Sequence, residues 1–144
     1  MKYYLSGRLQ SHNYINSWFS RSVKNTNQSL PQSMTFLIKT GDRVIGRVGI
    51  GPLRNRKGAD AEIGYAIEQS YSGKGITKKA VKTLLSFLEQ LRYYNRCYNF
   101  KRIRAVTKPE NKASNSILAS CGFILSKNPV NSKFGVKNEY FYYF

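Results

Sequence analysis

Apolar and polar positions alternate along three stretches in the first half of the chain. Residues 34–39 and 43–50 are rich in β-forming side chains and flank a Gly-Asp turn at 41–42, so they predict a β-hairpin. Residues 61–67 repeat the alternation and predict a third strand. The polar, proline-containing segment 25–33 before the hairpin is predicted to be a loop.

Helical periodicity appears in three other stretches. Residues 77–91 carry a continuous apolar stripe at a spacing of 3.6 residues and predict the longest helix. Residues 11–23 predict a shorter amphipathic helix, and residues 111–120 predict one that ends at Gly122. Further strands are predicted at 101–106, 123–125 and 139–144. The order β-β-β-α-β-α-β-β indicates an α/β (α+β) domain with a mixed sheet and helices on both faces.

The length of the chain and its few cysteines and histidines narrow the class of protein. A chain of 144 residues has the size of a single domain. It has no apolar run of the roughly 18 residues that cross a bilayer, and its N-terminus lacks a secretory signal, so we predict a cytoplasmic protein with no membrane partner. Cys97 and Cys121 lack metal-type spacing, and His12 is the single histidine, so no metal site is expected.

The charge is strongly unbalanced, with 24 Lys plus Arg against 7 Asp plus Glu and a net charge of +17. Such a surface attracts nucleic acid, an anionic cofactor or an acidic substrate, and charge alone does not choose among them. The residues that favour nucleic acid or the ribosome as a partner are Arg54, Arg56, Lys57, Lys101, Arg102 and Arg104.

A glycine-rich turn joins the third strand to the longest helix. Gly73 and Gly75 permit a sharp turn and a close approach of the backbone to a ligand. The N–H groups of the first helical turn favour an anion, and Lys74, Lys78 and Lys79 lie at the same end. We therefore predict an anion site, with ordinary surface lysines as the alternative. A nucleotide-binding phosphate loop and a dinucleotide fingerprint both fail on glycine spacing.

Together these segments resemble the GNAT superfamily, in particular its ribosomal-protein-alanine N-acetyltransferase branch. The resemblance covers residues 44–144 and rests on five short motifs, at 45–50, 61–67, 71–76, 111–114 and 121–123. The chain departs from the family pattern at Ser72, where Gln, Arg or Trp is usual, and at Thr77, where Gly or Ala is usual. The family's first strand has no clear counterpart, so we predict one acyl-CoA N-acyltransferase domain over residues 1–144 without that strand.

The resemblance implies acetyl-CoA as cosubstrate and assigns residues to hold it. The backbone of Tyr65, Ala66 and Ile67 would pair with the pantetheine arm like an added strand. Asn111 would meet the pantetheine from the other side, with Ser114 near the sulfur. The loop and helix start that would hold the pyrophosphate comprise Ser72, Gly73, Lys74, Gly75, Ile76, Thr77 and Lys78.

Transfer of an acetyl group to an amine by direct attack needs a base for the amine and an acid for the leaving thiolate. Among the few carboxylates, Glu62 is the first candidate base, with an ion pair to an arginine as the alternative interpretation. Ser114 is the candidate acid, and Tyr140 or Tyr142 could also serve. Alternate residues of the aromatic C-terminal strand are expected to pack in the core, and the others to line the acceptor groove.

Two other functions remain open at this point. The chain could be a basic nucleic-acid-binding or ribosome-binding protein, or a family member that binds CoA without catalysis. As an enzyme it would act on a protein N-terminus or a small amine, as a monomer or a homodimer. Its positive charge favours neutral or acidic acceptors over strongly basic ones.

Overall fold

The computed structural model describes residues 4–5, 8–9, 11–53 and 60–144. Arg54, Arg56 and Lys57, predicted to belong to the basic surface, lie outside the described residues, and so does the side chain of His12.

The elements follow one another in a strand-rich order. They are β1 (Tyr4–Leu5), β2 (Arg8–Leu9), α1 (His12–Thr26), β3 (Met34–Thr40), β4 (Arg43–Gly51), β5 (Ala61–Ile67), a 3₁₀ turn (Gln69–Tyr71), α2 (Ile76–Tyr94), β6 (Arg102–Thr107), α3 (Lys112–Ser120), β7 (Ile124–Leu125), β8 (Val130–Ser132) and β9 (Gly135–Tyr143). Among the described residues, no helix is long and apolar enough to span a bilayer.

The main sheet has the strand order β3-β4-β5-β6-β9-β7, with β8 paired to β9, while β1 and β2 form a separate antiparallel pair. Within the main sheet, β5 and β6 are parallel and the other pairs are antiparallel. The structure therefore confirms the predicted mixed, largely antiparallel sheet. The predicted 41–42 turn closes the β3–β4 hairpin, with Gly41 in the left-handed region at φ 54°.

The core lies between the sheet and the helices α2 and α3. The apolar stripe of α2, which includes Val81, Leu84 and Leu88, packs with Ile63 of β5 and Ile103 of β6. Each such buried aliphatic side chain contributes roughly 1.5–3 kcal/mol. The opposite face of the sheet carries α1, which packs on β3. The helices thus flank the sheet on both faces, as predicted.

Two of the boundaries that differ from the sequence prediction have a clear physical cause. Helix α1 continues to Thr26, into the segment predicted as a loop, because the Thr26 hydroxyl donates to the Ser22 carbonyl (2.9 Å) and accepts from the Thr35 N–H (3.0 Å). Strand β9 begins at Gly135, four residues before the predicted start, because it pairs there with the unpredicted strand β8.

Candidate functional site

The parallel strands β5 and β6 separate after two residue pairs. Only Ala61↔Ile103 and Glu62↔Arg104 are in register, although the strands run on to Ile67 and Thr107. On its other side β5 stays paired with β4 as far as Ile67. The edge of β5 that faces β6 over residues 64–67 therefore lacks a strand partner among the described residues. An extended chain can occupy such an opening by strand-like hydrogen bonds.

The glycine-rich turn adopts the backbone conformation that its glycines permit. Gly73 and Gly75 have φ of 75° and 74°, in the left-handed region that other residues rarely adopt. Gly75 is the N-cap of α2, and no side chain of the described ranges caps that helix. The first N–H groups of α2 are therefore left for water or a ligand. A Cβ at either glycine would meet no atom within 4 Å in the part of the chain that the structure describes, so these residues leave the space beside the loop open.

The side chains around this helix start suit an anion. Lys74, Lys78 and Lys79 are exposed, and the Lys74 ammonium lies 5.2 Å from the centre of the Tyr71 ring. Thr77 is buried, with 7% of its surface exposed, and its hydroxyl has no partner among the described residues. A buried hydroxyl without a partner is costly, so the arrangement fits a bound group with acceptor oxygens, such as a phosphate.

Ser114 on α3 lies against Tyr65 on β5. The Tyr65 hydroxyl donates to the Ser114 carbonyl (3.4 Å), and Asn111 caps α3 by accepting from the Ser114 N–H (3.1 Å). Burial raises the pKa of Tyr65 to about 12, although the Ser114 side chain acts in the opposite direction. The phenol therefore keeps its proton at neutral pH. The fold thus brings together three residues that the family resemblance assigned to one site.

Asn115 organises the same face of the sheet and was missed by the sequence analysis. Its amide nitrogen donates to the carbonyls of Lys108 (3.1 Å), Pro109 (3.3 Å) and Asn111 (2.7 Å). Its amide oxygen accepts from the Tyr140 hydroxyl at 2.8 Å and from the Asn138 amide at 3.0 Å. A lone Asn in a short helix gives no signal of this role. The proton of the buried Tyr140 hydroxyl is therefore already engaged in a hydrogen bond.

Glu62 belongs to a charged cluster on the opposite face of the sheet. Arg104 donates through Nη1 to Glu62 Oε2 (2.6 Å) and through Nε to Glu139 Oε1 (2.5 Å). Burial lowers the pKa of Arg104, and the two carboxylates more than compensate, so the net shift is upward. The Glu139 side chain is 16% exposed and that of Glu62 is 53% exposed. The ion pair foreseen as the alternative for Glu62 is therefore present, with Glu139 as an unpredicted second carboxylate.

The candidate catalytic residues thus lie on two faces of the sheet beside the same opening. Glu62 and Glu139 lie on the α1 side, whereas Ser114 and Tyr140 lie on the α3 side. A ligand held between the separated strands is accessible from both sides.

Part of the predicted basic surface is neutralised within the sheet. Arg102 pairs with Asp60 (2.8 Å), and its guanidinium lies 3.8 Å from the centre of the Phe141 ring. Arg104 is held by its two carboxylates, while Lys101 is exposed. Of the described members of that surface, only Lys101 has no ion pair.

An apolar groove lies on the far side of α2 from α3. Its volume is about 430 Å³, and its walls include Phe36 and Ile38 of β3 and Phe87 of α2. It contains no titratable group except Lys79, so it is not a candidate catalytic site. Among the described residues, no group of three or more His, Cys, Asp or Glu residues could hold a metal ion.

Comparisons with known proteins agree with this geometry. Residues 1–124 match the model of the acetyltransferase (GNAT) domain. An uncharacterized N-acetyltransferase p20 of Bacillus licheniformis is 34% identical over 89 residues, which are 62% of this chain and 46% of that protein. The chain therefore spans slightly less than half the length of this relative.

Solved structures share the fold at lower sequence identity. A microcin C7 self-immunity acetyltransferase, solved with acetyl-CoA and AMP, superposes with a TM-score of 0.70 and 22% identity over 94% of this chain and 73% of its own. A ribosomal-protein-S5-alanine acetyltransferase from Vibrio fischeri gives a TM-score of 0.75 and 20% identity over 93% and 75%. Because the domain model matches most of the chain, the chain belongs to the GNAT acetyltransferase family.

Proposed function

We propose that the protein transfers an acetyl group from acetyl-CoA to a primary amine, on a protein N-terminus or a small molecule, by direct attack in a ternary complex. The observation that carries the proposal is the separation of β5 from β6 beside the left-handed glycine turn at the start of α2. These two features offer an extended ligand a strand edge and a phosphate cradle within one site.

The proposed contacts involve two parts of acetyl-CoA, the pantetheine arm and the pyrophosphate. Tyr65, Ala66 and Ile67 would pair with the pantetheine arm along the free edge of β5, facing Asn111 and Ser114. Acetyl-CoA supplies a thioester carbonyl that accepts the amine. The residues that would hold the pyrophosphate are Ser72, Gly73, Lys74, Gly75, Ile76, Thr77 and Lys78. The unpartnered Thr77 hydroxyl supports this placement, because a phosphate oxygen would accept its hydrogen bond.

The carboxylates on the α1 side are suited to prepare the amine. A primary amine is protonated at neutral pH and must lose a proton before it attacks. Glu62 is our candidate base, acting directly or through a water molecule. Its half-exposed side chain remains accessible despite the Arg104 ion pair, and Glu139 adds negative charge that attracts an ammonium group.

Ser114 is our candidate acid for the leaving thiolate. Its backbone is fixed by Asn111 and Tyr65, and its side chain lies close enough to the Tyr65 phenol to act on the pKa of that group. Tyr140 is the weaker candidate, because its proton is donated to Asn115. Positioning of the two substrates supplies much of the rate enhancement in such a reaction.

The partners of the enzyme follow from the same proposal. The acceptor class includes ribosomal proteins, since one structural relative is named for such a substrate. We further propose a single domain over residues 1–144, a cytoplasmic location, and a monomeric or homodimeric state. Contact with ribosomal RNA through the exposed lysines would add a second, salt-sensitive interaction.

Acetyl transfer is tested directly by incubating the purified chain with acetyl-CoA and a panel of N-terminal peptides and small amines. Release of the CoA thiol and the mass of the acceptor are measured together. We expect N-acetylation of at least one class, and a fall in kcat of roughly 100-fold or more in Glu62→Gln. Saturable binding of acetyl-CoA without acetylation of any acceptor would instead identify a CoA-binding protein without catalysis.

A further inference from the structure

An open trough runs along the α1 face of β4 and β5. Residues directly opposite in an antiparallel pair share a face, and the pairs here are Arg47↔Ala66, Gly49↔Gly64 and Gly51↔Glu62. A Cβ at Gly64 would meet no atom of the described residues within 4 Å, so those residues leave the floor open there. We call this surface the glycine trough; it has Arg47 at one end, Gly49 and Gly64 as its floor and Glu62 at the other end.

Arg47 is partly buried at the end of this trough without a carboxylate partner. Its guanidinium carbon lies 4.3 Å from the centre of the Trp18 ring on α1. Within the described part of the chain no carboxylate pairs with it, whereas Arg43, Arg102 and Arg104 each have at least one. Burial lowers the pKa of Arg47, with a smaller opposing effect from Tyr14. The cost of desolvating this charge is therefore not offset by a neighbouring anion.

We propose that Arg47 binds a carboxylate on the acceptor, so that the preferred acceptor is a peptide N-terminus with an acidic side chain close to it. This inference rests on the proposed acetyl transfer beside β5. A guanidinium presents its donors in a planar fork that matches a carboxylate, and the Trp18 ring restricts its orientation.

The distance between Glu62 and the Arg47 guanidinium limits which acceptors can contact both. Arg47 pairs with Ala66 along the strand, but its Nη1 lies 3.9 Å from the position that a Cβ would take at Gly49. The guanidinium therefore lies at the level of Gly64, two residues of strand or about 7 Å from Glu62. A free amino acid cannot place its amine near Glu62 and its own carboxylate at Arg47, because the two groups are too close together. Two extended residues span about 7 Å, so an acidic side chain at the second or third position can reach Arg47. The net charge of +17 favours the same class at long range.

The single tryptophan of the chain is the one that stacks on Arg47, so its fluorescence reports binding at this site. CoA-saturated protein is titrated with peptide pairs that differ only by Asp or Asn at position two or three, which measures binding without turnover. We expect the acidic peptide to bind at least about tenfold more tightly. This ratio should fall to nearly one in Arg47→Gln and be partly retained in Arg47→Lys.

Arg43→Gln is the matched control, because it removes the same charge from the same strand at an exposed position. It should leave the acid-to-amide ratio unchanged, which separates local binding from long-range attraction. Equal affinities for the two peptides in the wild type, or a ratio that survives in Arg47→Gln, would overturn the inference. Failure of the proposed function would give a different result. The chain would then bind the acidic peptide more tightly but would not acetylate it when acetyl-CoA replaces CoA.

Discussion

Ser114 connects the strand edge of β5 to helix α3. Its carbonyl accepts from Tyr65 and its N–H is capped by Asn111, so a change to alanine removes only the hydroxyl and keeps both contacts. If the hydroxyl protonates the leaving thiolate, Ser114→Ala should lower kcat by about 10- to 100-fold. The affinity for acetyl-CoA should change by less than about threefold, as measured by steady-state kinetics and calorimetry.

The control for this prediction is Ser116→Ala, an exposed position on the same helix, which should keep the wild-type kcat. An unchanged kcat in Ser114→Ala would remove the serine from the mechanism.

Tyr65 makes the stability of the fold depend on pH in the alkaline range. Its pKa is about 12 in the folded protein, against about 10 for an unfolded chain, because burial disfavours the phenolate. Its contribution to stability is therefore complete below about pH 10 and is lost as the pH rises towards about 12. We expect the free energy of unfolding to fall over this window, and less steeply in Tyr65→Phe.

Urea unfolding at a series of alkaline pH values measures this slope. Tyr142→Phe is a suitable comparison on the same face of the sheet. Identical slopes in Tyr65→Phe and the wild type would show that Tyr65 is not the responsible group.

At the scale of elements, Asn115 holds α3 to its neighbours. Its side chain forms hydrogen bonds with Lys108 and Pro109 in the loop that follows β6. It also forms hydrogen bonds with Asn138 and Tyr140 of β9. Asn115→Ala would leave the buried Tyr140 hydroxyl without its acceptor, so we expect the free energy of unfolding to fall by about 2–3 kcal/mol.

Lys112→Ala, at an exposed position of the same helix, should change the free energy of unfolding by less than about 0.5 kcal/mol. Chemical denaturation of both variants decides the point. A loss in Asn115→Ala no larger than that of this control would contradict the structural role of the amide.

The sequence predicts those elements that are specified by residues within the element itself. The β3–β4 hairpin carries its own turn residues, and α2 carries a full apolar stripe. Gly73 and Gly75 permit the left-handed backbone conformation that the turn adopts. Family membership, predicted from the short motifs, is confirmed by the match of the domain model.

Features that depend on distant segments could not be predicted in this way. Periodicity tells which residues share a face, but it does not tell where β5 stops pairing with β6, since that register joins segments about 40 residues apart. For the same reason the partners of Arg104 and Asn115 were missed: Glu139 and Tyr140 reach them only through the pairing of β9 with β6. The late end of α1 depends on a hydrogen bond to β3.

Over the whole molecule, the basic side chains fall into two groups, those in ion pairs and those clustered at the start of α2. Arg43, Arg102 and Arg104 are matched by carboxylates, whereas Lys74, Lys78 and Lys79 lie together at the start of α2. Exposed ion pairs add little stability, about 0–1 kcal/mol each. The excess of positive charge therefore matters chiefly for attracting anions, which include both CoA and the acidic acceptor that we propose.

The most direct test of the account is calorimetric titration with acetyl-CoA of the wild type, Gly75→Glu and Gly41→Glu. Both glycines have positive φ and no atom of the described residues within 4 Å of a Cβ, so the two variants bear a similar backbone strain, but only Gly75 lies at the proposed phosphate site. We predict saturable binding at one site per chain in the wild type and in Gly41→Glu, and a loss of at least about 100-fold in affinity in Gly75→Glu. No binding to the wild type, or equal binding to Gly75→Glu, would contradict the acetyl-CoA site.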